Sequence, residues 1–322
     1  MSVNTCIKRF CLLAAVSVLI VAGGCGRHRA VELYVDAVML NDLDQRDKAL
    51  RKLDGALIND RSFALAYSLK GDIYQRQGNY EMSSKAYERA TELNPMSFKD
   101  FYNLGIVNVH LERLRKAANA FVAASEIDPQ SYDSHYQAGV CYQKLKDFAN
   151  AIPCYNKARQ IKPDSTEIDK MLGEIFTELE DYDKAVSEYR RALEREGNKP
   201  ELMMPLATAY LRLERYNAAK ELLNAVVDLE PANKMAHQYL GFAVIKTGNP
   251  QAAVGHYLQA VDLDYTDWMA HKGLGVAYLL SYGQTGDKSL LKKGVDQWKL
   301  SLKLNPDQPQ LTRMISKYQS LL

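Results

Sequence analysis

Long apolar runs, cysteine, tryptophan and surplus charge are all scarce in this sequence of 322 residues. Five cysteines are too few for a disulfide-built scaffold, and three of them, Cys6, Cys11 and Cys25, fall in the first 25 residues. The longest apolar stretch, Cys11–Ala22, is shorter than the roughly 20 residues that a membrane-crossing helix needs. Formal charge is only +2, and without residues 1–24, which hold Lys8 and Arg9, there are 39 basic side chains against 39 acidic ones. A neutral chain lacks the electrostatic footprint of a nucleic-acid binder, so that class is excluded. There is no HExxH, no GxSxG, no Walker A and no GxGxxG. "GQTGDKS" lacks the Gly-Lys-Ser/Thr ending of a phosphate loop and follows no strand. No enzyme chemistry is therefore expected, and no cofactor.

What is present begins with an ordered N-terminus. Lys8 and Arg9 precede the apolar run, and small residues follow it, which is the layout of a secretory signal over residues 1–24. Val21-Ala22-Gly23-Gly24-Cys25 resembles a bacterial lipobox, although Ala22 stands where that family usually has Leu. The resemblance implies that Cys25 becomes the first mature residue and carries lipid on its sulfur and amine. More than one acyl chain is what stable anchoring requires. Residues 25–29 would form a lipidated linker, and the body would be tethered to a membrane of the bacterial cell envelope, preferably the outer membrane on its periplasmic side. An ordinary signal peptide or an uncleaved anchor is the other reading.

A period of 34 residues organises the rest. Gly71, Gly105, Gly139, Gly173, Gly241 and Gly275 keep this spacing, and Ala207 fills the gap. Ser83, Ala117, Ala151, Ala185, Ala219 and Ala253 form a second ladder. Ala90, Ala124, Ala158, Ala192, Val226 and Ala260 form a third, and Tyr87, Phe121, Tyr155, Tyr189, Leu223 and Tyr257 a fourth. Pro95, Pro129, Pro163 and Pro231 close units, because proline cannot continue a helix. The pattern resembles the tetratricopeptide repeat, a helix–turn–helix unit whose two helices, A and B, approach closely at the small positions. The resemblance implies an all-α superhelical solenoid of eight units: 30–63, 64–97, 98–131, 132–165, 166–199, 200–233, 234–267 and 268–308. In the last unit seven extra residues are expected as a loop at "SYGQTGDKS", and residues 309–322 are expected as an amphipathic capping helix. Pro153 and Pro205, inside helices, are candidate kinks.

In this family the A helices line a concave groove through unit positions 2, 5, 9 and 12. Carried onto this sequence, those positions and their neighbours give Tyr102, Ile106, Tyr136, Val140, Lys170, Glu174, Met204, Tyr239 and Phe242 as candidate partner-binding residues, or else as packing between A helices. A Lys and Asn clamp at positions 5 and 9 is not present, so an extended peptide or an amphipathic helix is the better fit. Cys141 and Cys154 share one unit and are a candidate disulfide, or two small buried apolar residues. His135, His237 and His271 all occupy position 4; one repeat apart they cannot share a metal ion, so they read as packing residues with a hydrogen-bonding edge. The acids between Asp164 and Asp183 and the lysines between Lys288 and Leu304 read as solvated faces.

The expectation is a membrane-anchored scaffold or adaptor that binds another envelope protein or peptide and assists complex assembly. The architecture resembles that of pilotins and of pilus or secretion assembly factors. A non-catalytic regulator of a cell-wall or polysaccharide enzyme is the alternative. No small-molecule substrate is evident.

Overall fold

A computed structural model describes residues 25–322; the expected signal segment, 1–24, lies outside the described residues, as does the Cys25 side chain. Among the described residues there are 17 helices and no strand. The chain divides between Pro163 and Asp164 into two compact units. The first contains α1 (Cys25–Asp42), α2 (Arg46–Asn59), α3 (Ala64–Arg76), α4 (Tyr80–Leu93), α5 (Phe98–His110), α6 (Leu114–Ile127), α7 (Tyr132–Lys144) and α8 (Phe148–Ile161). The second contains α9 (Thr166–Glu178), α10 (Tyr182–Glu196), α11 (Pro200–Arg212), α12 (Tyr216–Leu229), α13 (Lys234–Lys246) and α14 (Pro250–Leu263). It ends with α15 (Trp268–Thr285), α16 (Lys288–Leu304) and α17 (Pro309–Gln319). Each unit is a helical-repeat solenoid, the fold class that the 34-residue period implies.

The turns between paired helices repeat as strictly as the ladders. Asp44, Gly78, Glu112, Lys146, Glu180, Glu214 and Gly248 all have positive φ, between 56° and 88°. This left-handed residue ends each A helix and lets the next N–H reach back to a carbonyl five residues earlier: Asn79 to Tyr74 at 2.9 Å, Arg113 to Asn108 at 2.8 Å. B helices then start on side-chain caps where the sequence provides them, as when Asn79 accepts from the Met82 N–H and Asp181 from the Lys184 N–H.

Inside each repeat, an aromatic ring from helix B lies where the glycine of helix A has no side chain. A Cβ built on Gly71, Gly105, Gly139, Gly173 or Gly241 would fall 2.6–2.8 Å from the ring of Tyr87, Phe121, Tyr155, Tyr189 or Tyr257. One repeat solves the same problem differently: Ala207 is paired with the smaller Leu223, and both are fully buried. In the last repeat Trp298 takes the place of the ring, 2.3 Å from a Cβ on Gly275.

Two sequence expectations are corrected here. Residues 25–29 are the first turn of α1 rather than a linker: Arg27 pairs with Asp60 at 3.5 Å, and Gly26 lies against the end of α2. The extra residues of the last repeat do not form a loop but lengthen its helices, so α15 has 18 residues and α16 has 17, where α13 and α14 of the preceding repeat have 13 and 14. Ser281 and Thr285 donate to carbonyls one turn back, and Gly286, left-handed at φ 73°, closes α15. Both candidate kinks lie within helices, α8 and α11, that run unbroken. The carbonyls that lose an N–H partner belong to Ala149 and Glu201, both exposed, where water can replace it.

At the C-terminus α17 covers the last repeat. Leu311 and Ile315 are buried with Leu279, Leu291, Val295 and Trp298, and Tyr318 meets the Trp298 ring edge-on at 5.8 Å. This is the covered end that a stacked array needs.

Candidate partner-binding face

In the first unit, Tyr102, Ile106, Tyr136 and Val140 are all half-buried on A helices α5 and α7. Their rings are partly taken by neighbours: Tyr102 stacks on Phe98 at 5.7 Å and meets Phe121 edge-on at 5.4 Å, and Tyr136 stacks on Tyr132 at 5.8 Å. Burial, then the nearby Asp133 carboxylate, raises the Tyr102 hydroxyl above its ordinary pKa. One cavity in this unit, of about 400 Å³ between α3 and α5, is lined by the polar residues Asp72, Gln75, Arg76, Lys99 and Asn103. Some of its groups are joined: the Tyr87 hydroxyl and the Lys99 ammonium both donate to Asp72, at 2.6 and 2.5 Å.

The second unit treats the candidates differently. Lys170 and Glu174 are half-buried on α9, and Met204 and Tyr239 pack against the buried cluster that holds Met203, Leu240 and Tyr257. Phe242 is 38% exposed and opens onto a cavity of about 430 Å³ between α13 and α15. Ile245, Trp268, Met269 and Val276 complete its apolar wall, and Lys246 and Lys272 stand among the same lining residues. The Lys246 ammonium lies 5.6 Å from the ring centroids of both Tyr216 and Phe242, and that of Lys272 lies 5.9 Å from Trp268. Trp268, Met269, Lys272 and Val276 were missed in the sequence, where the reading of groove positions stopped one repeat short. The signal was there: position 6 is Gly273, where other repeats place Leu69, Asn103, Gln137, Met171 or Tyr239. A Cβ on Gly273 would fall 2.2 Å from the Tyr257 ring, so the glycine lets that ring lie against α15, and both residues line the cavity.

The histidines and cysteines find local employment. His135, His237 and His271 each direct Nε2 at the carbonyl six residues earlier, on Pro129, Pro231 and Tyr265, at 3.2, 3.0 and 2.9 Å. A carbonyl only accepts, so Nε2 carries the proton and ties the inter-repeat turn to the next A helix. Among the described residues, no group of three or more His, Cys, Asp or Glu is placed to hold a metal ion. Cys141 and Cys154 are free thiols, and burial pushes both up to about 11, which keeps them protonated and unreactive at neutral pH.

One histidine sets a pH dependence. His256 is half-buried on α14, its ring centroid 6.2 Å from that of His237, and burial and then the His237 charge hold its pKa below the ordinary value. Below about pH 6.5 the unfolded chain therefore takes up a proton that the folded chain refuses, so stability falls as the pH drops through that value toward the folded pKa. His256→Gln should flatten the dependence of the urea midpoint between about pH 5 and 7; an unchanged slope would show that His256 does not cause it.

Sequence comparison agrees with the geometry. Residues 64–97 and 132–165 each match a tetratricopeptide-repeat profile, and residues 176–241 match a second profile of the same description. The chain carries tetratricopeptide repeats. Proteins of this family are generally non-catalytic protein-interaction scaffolds. Among solved structures, the chain is similar to YrrB, described as a TPR protein with an unusual peptide-binding site. The TM-score is 0.53 with 19% identity, over 64% of this chain and 100% of that one. It is also similar to the C-terminal part of a TPR repeat-containing protein from Cytophaga hutchinsonii, with a TM-score of 0.58, 16% identity, and coverage of 76% and 97%. These likenesses concern the fold. No curated protein sequence matches the chain.

Proposed function

We propose that this tetratricopeptide-repeat protein is a lipid-anchored scaffold of the bacterial envelope, tethered through Cys25, that docks a protein or peptide partner on its A-helix face and assists assembly of a complex in the manner of a pilotin. The observation that carries the docking part is the open apolar cavity beside Phe242, on the family's partner-binding face. Such a surface contributes to binding when a partner covers it, at about 25 cal/mol per Å² removed from water. No helix among the described residues is long and apolar enough to cross a membrane.

Two experiments test the two parts. Replacing Cys25 with Ala should move the protein from the membrane fraction to the soluble one, or leave an uncleaved precursor; unchanged lipid labelling and mature mass would sink the anchor. Photo-crosslinking in the native cell, from a benzophenone side chain at Phe242 or Tyr136 and from exposed Lys299 as control, should give one dominant adduct from the first two positions only. Equal adducts from all three, or none, would remove the A-helix face as the docking site.

A further inference from the structure

The cavity between α13 and α15 also states what kind of partner it takes, an inference that rests on the docking reading above. Its wall is apolar through Phe242, Ile245, Trp268, Met269 and Val276, and the charged residues among its lining are Lys246 and Lys272. No carboxylate lines it. Neither lysine has an acidic partner among the described residues, whereas Lys234, at the start of the same helix α13, is held by Asp264 at 2.8 Å and by Asp267 at 2.9 Å. Lys246 and Lys272 rest instead over aromatic rings, which support the cation without neutralising it. Phe242 and Met269 are 38% and 49% exposed, so the apolar surface between the two cations is open to water. An apolar cavity of about 430 Å³ lies in the size range of ligand pockets and holds a large side chain rather than a flat protein surface.

From this geometry we infer that the site binds a peptide segment in which a bulky apolar or aromatic residue is flanked by Asp or Glu. The apolar residue enters between Phe242, Trp268 and Val276, and the flanking carboxylates meet Lys246 on one side and Lys272 on the other. Burial of the anchor supplies affinity, while the two unpaired cations supply charge selection, since a lysine-flanked segment would bring like charges together. Gly273, which lets the Tyr257 ring lie against α15 and lines the cavity with it, is particular to this repeat, since position 6 carries a side chain in the others.

The test pans a random 12-residue phage-displayed library on the whole chain from Gly26 and measures the selected synthetic peptides by the fluorescence of Trp268, one of only two tryptophans. The other, Trp298, is fully buried and remains a constant background. Selected peptides should carry an apolar residue flanked by acids, shift the Trp268 emission to the blue, and bind at least tenfold more weakly at 0.5 M salt than at 0.05 M. Both lysines are exposed, so the K246E/K272E variant should melt like the parent. It should lose the acidic peptides by at least tenfold and select lysine-flanked ones in their place. Peptides of no acidic preference, peptides that K246E/K272E binds equally well, or no selected peptide would each overturn this assignment. The scaffold reading fails separately, through the absence of a crosslinked partner in the cell.

Discussion

Gly105→Ala should destabilise the protein by about 2 kcal/mol, although alanine is the better helix former and the backbone at Gly105 is ordinary helix. The cause is steric. A Cβ there would stand 2.6 Å from Cε1 and 2.7 Å from Cδ1 of Phe121, a ring that is 1% exposed and also braced by the edge of Tyr102. The ring cannot withdraw without moving a helix, so the overlap is relieved by strain in packing. Phe121→Leu alone should cost roughly 1–2 kcal/mol, between the loss of a methylene and the loss of a whole ring. In the Phe121→Leu background, however, Gly105→Ala should change sign and stabilise by about 0.5 kcal/mol, because the space is now free and the helix-propensity gain remains. The protein already contains that combination as Ala207 and Leu223, both fully buried. The measurement is the shift of the urea midpoint for the four members of the cycle. Additive single effects would show that the two residues do not share one space.

The same pair explains why so much of this fold was legible in the sequence. Glycine at position 8 and an aromatic ring at position 24 are two halves of one contact, so they recur together and give the period its contrast; where one half shrinks, the other grows. Small residues at positions 20 and 27 recur for the same reason, since Ala117 and Ala124 are fully buried between helices. The lengthened α15 was not legible, because Gly283 and Gly286 read as loop punctuation. Only Gly286 serves that purpose. Gly283 is an exposed helical residue, and its cost, about 1 kcal/mol against alanine, is offset where Leu279, Leu291 and Tyr282 pack in the same cluster.

The candidate face was half legible. Its positions follow from the family phase, but phase cannot say whether a side chain faces water or its neighbour. Tyr102 and Tyr136 spend their ring faces on Phe98 and Tyr132, and Tyr239 on the core, whereas Phe242, T-shaped against Tyr216 at 6.1 Å, stays 38% exposed and lines an open cavity. Which ring stays open depends on the neighbours particular to one repeat, and those a repeat period does not report.

Trp298→Ala should have the largest effect of any substitution in the second unit, about 4 kcal/mol, and its consequences should be confined to the C-terminal end. The indole is 1% exposed, donates from Nε1 to the Lys272 carbonyl at 3.1 Å, and fills the space that Gly275 leaves on α15. It also supports Leu311 and Ile315 of α17, whose own buried surface is too small to hold an isolated helix of 11 residues in water. In a stacked array each repeat depends on its neighbours, so the loss removes the covering helix first and the last repeat with it, while α13 and α14 keep the interface on their other side. Trypsin should then cut rapidly at Arg313 and Lys317 in the variant and slowly in the parent, and Trp298→Phe should be intermediate, since it keeps a ring but loses the hydrogen bond. Cleavage at the same rate in all three would show that α17 is held by something other than this ring. Because α15 also carries Trp268, Lys272 and Val276, the variant should lose affinity for any peptide held between α13 and α15. That loss would occur with every residue of the cavity wall unchanged, and the ring that caps the array would thereby be shown to hold the docking surface in place.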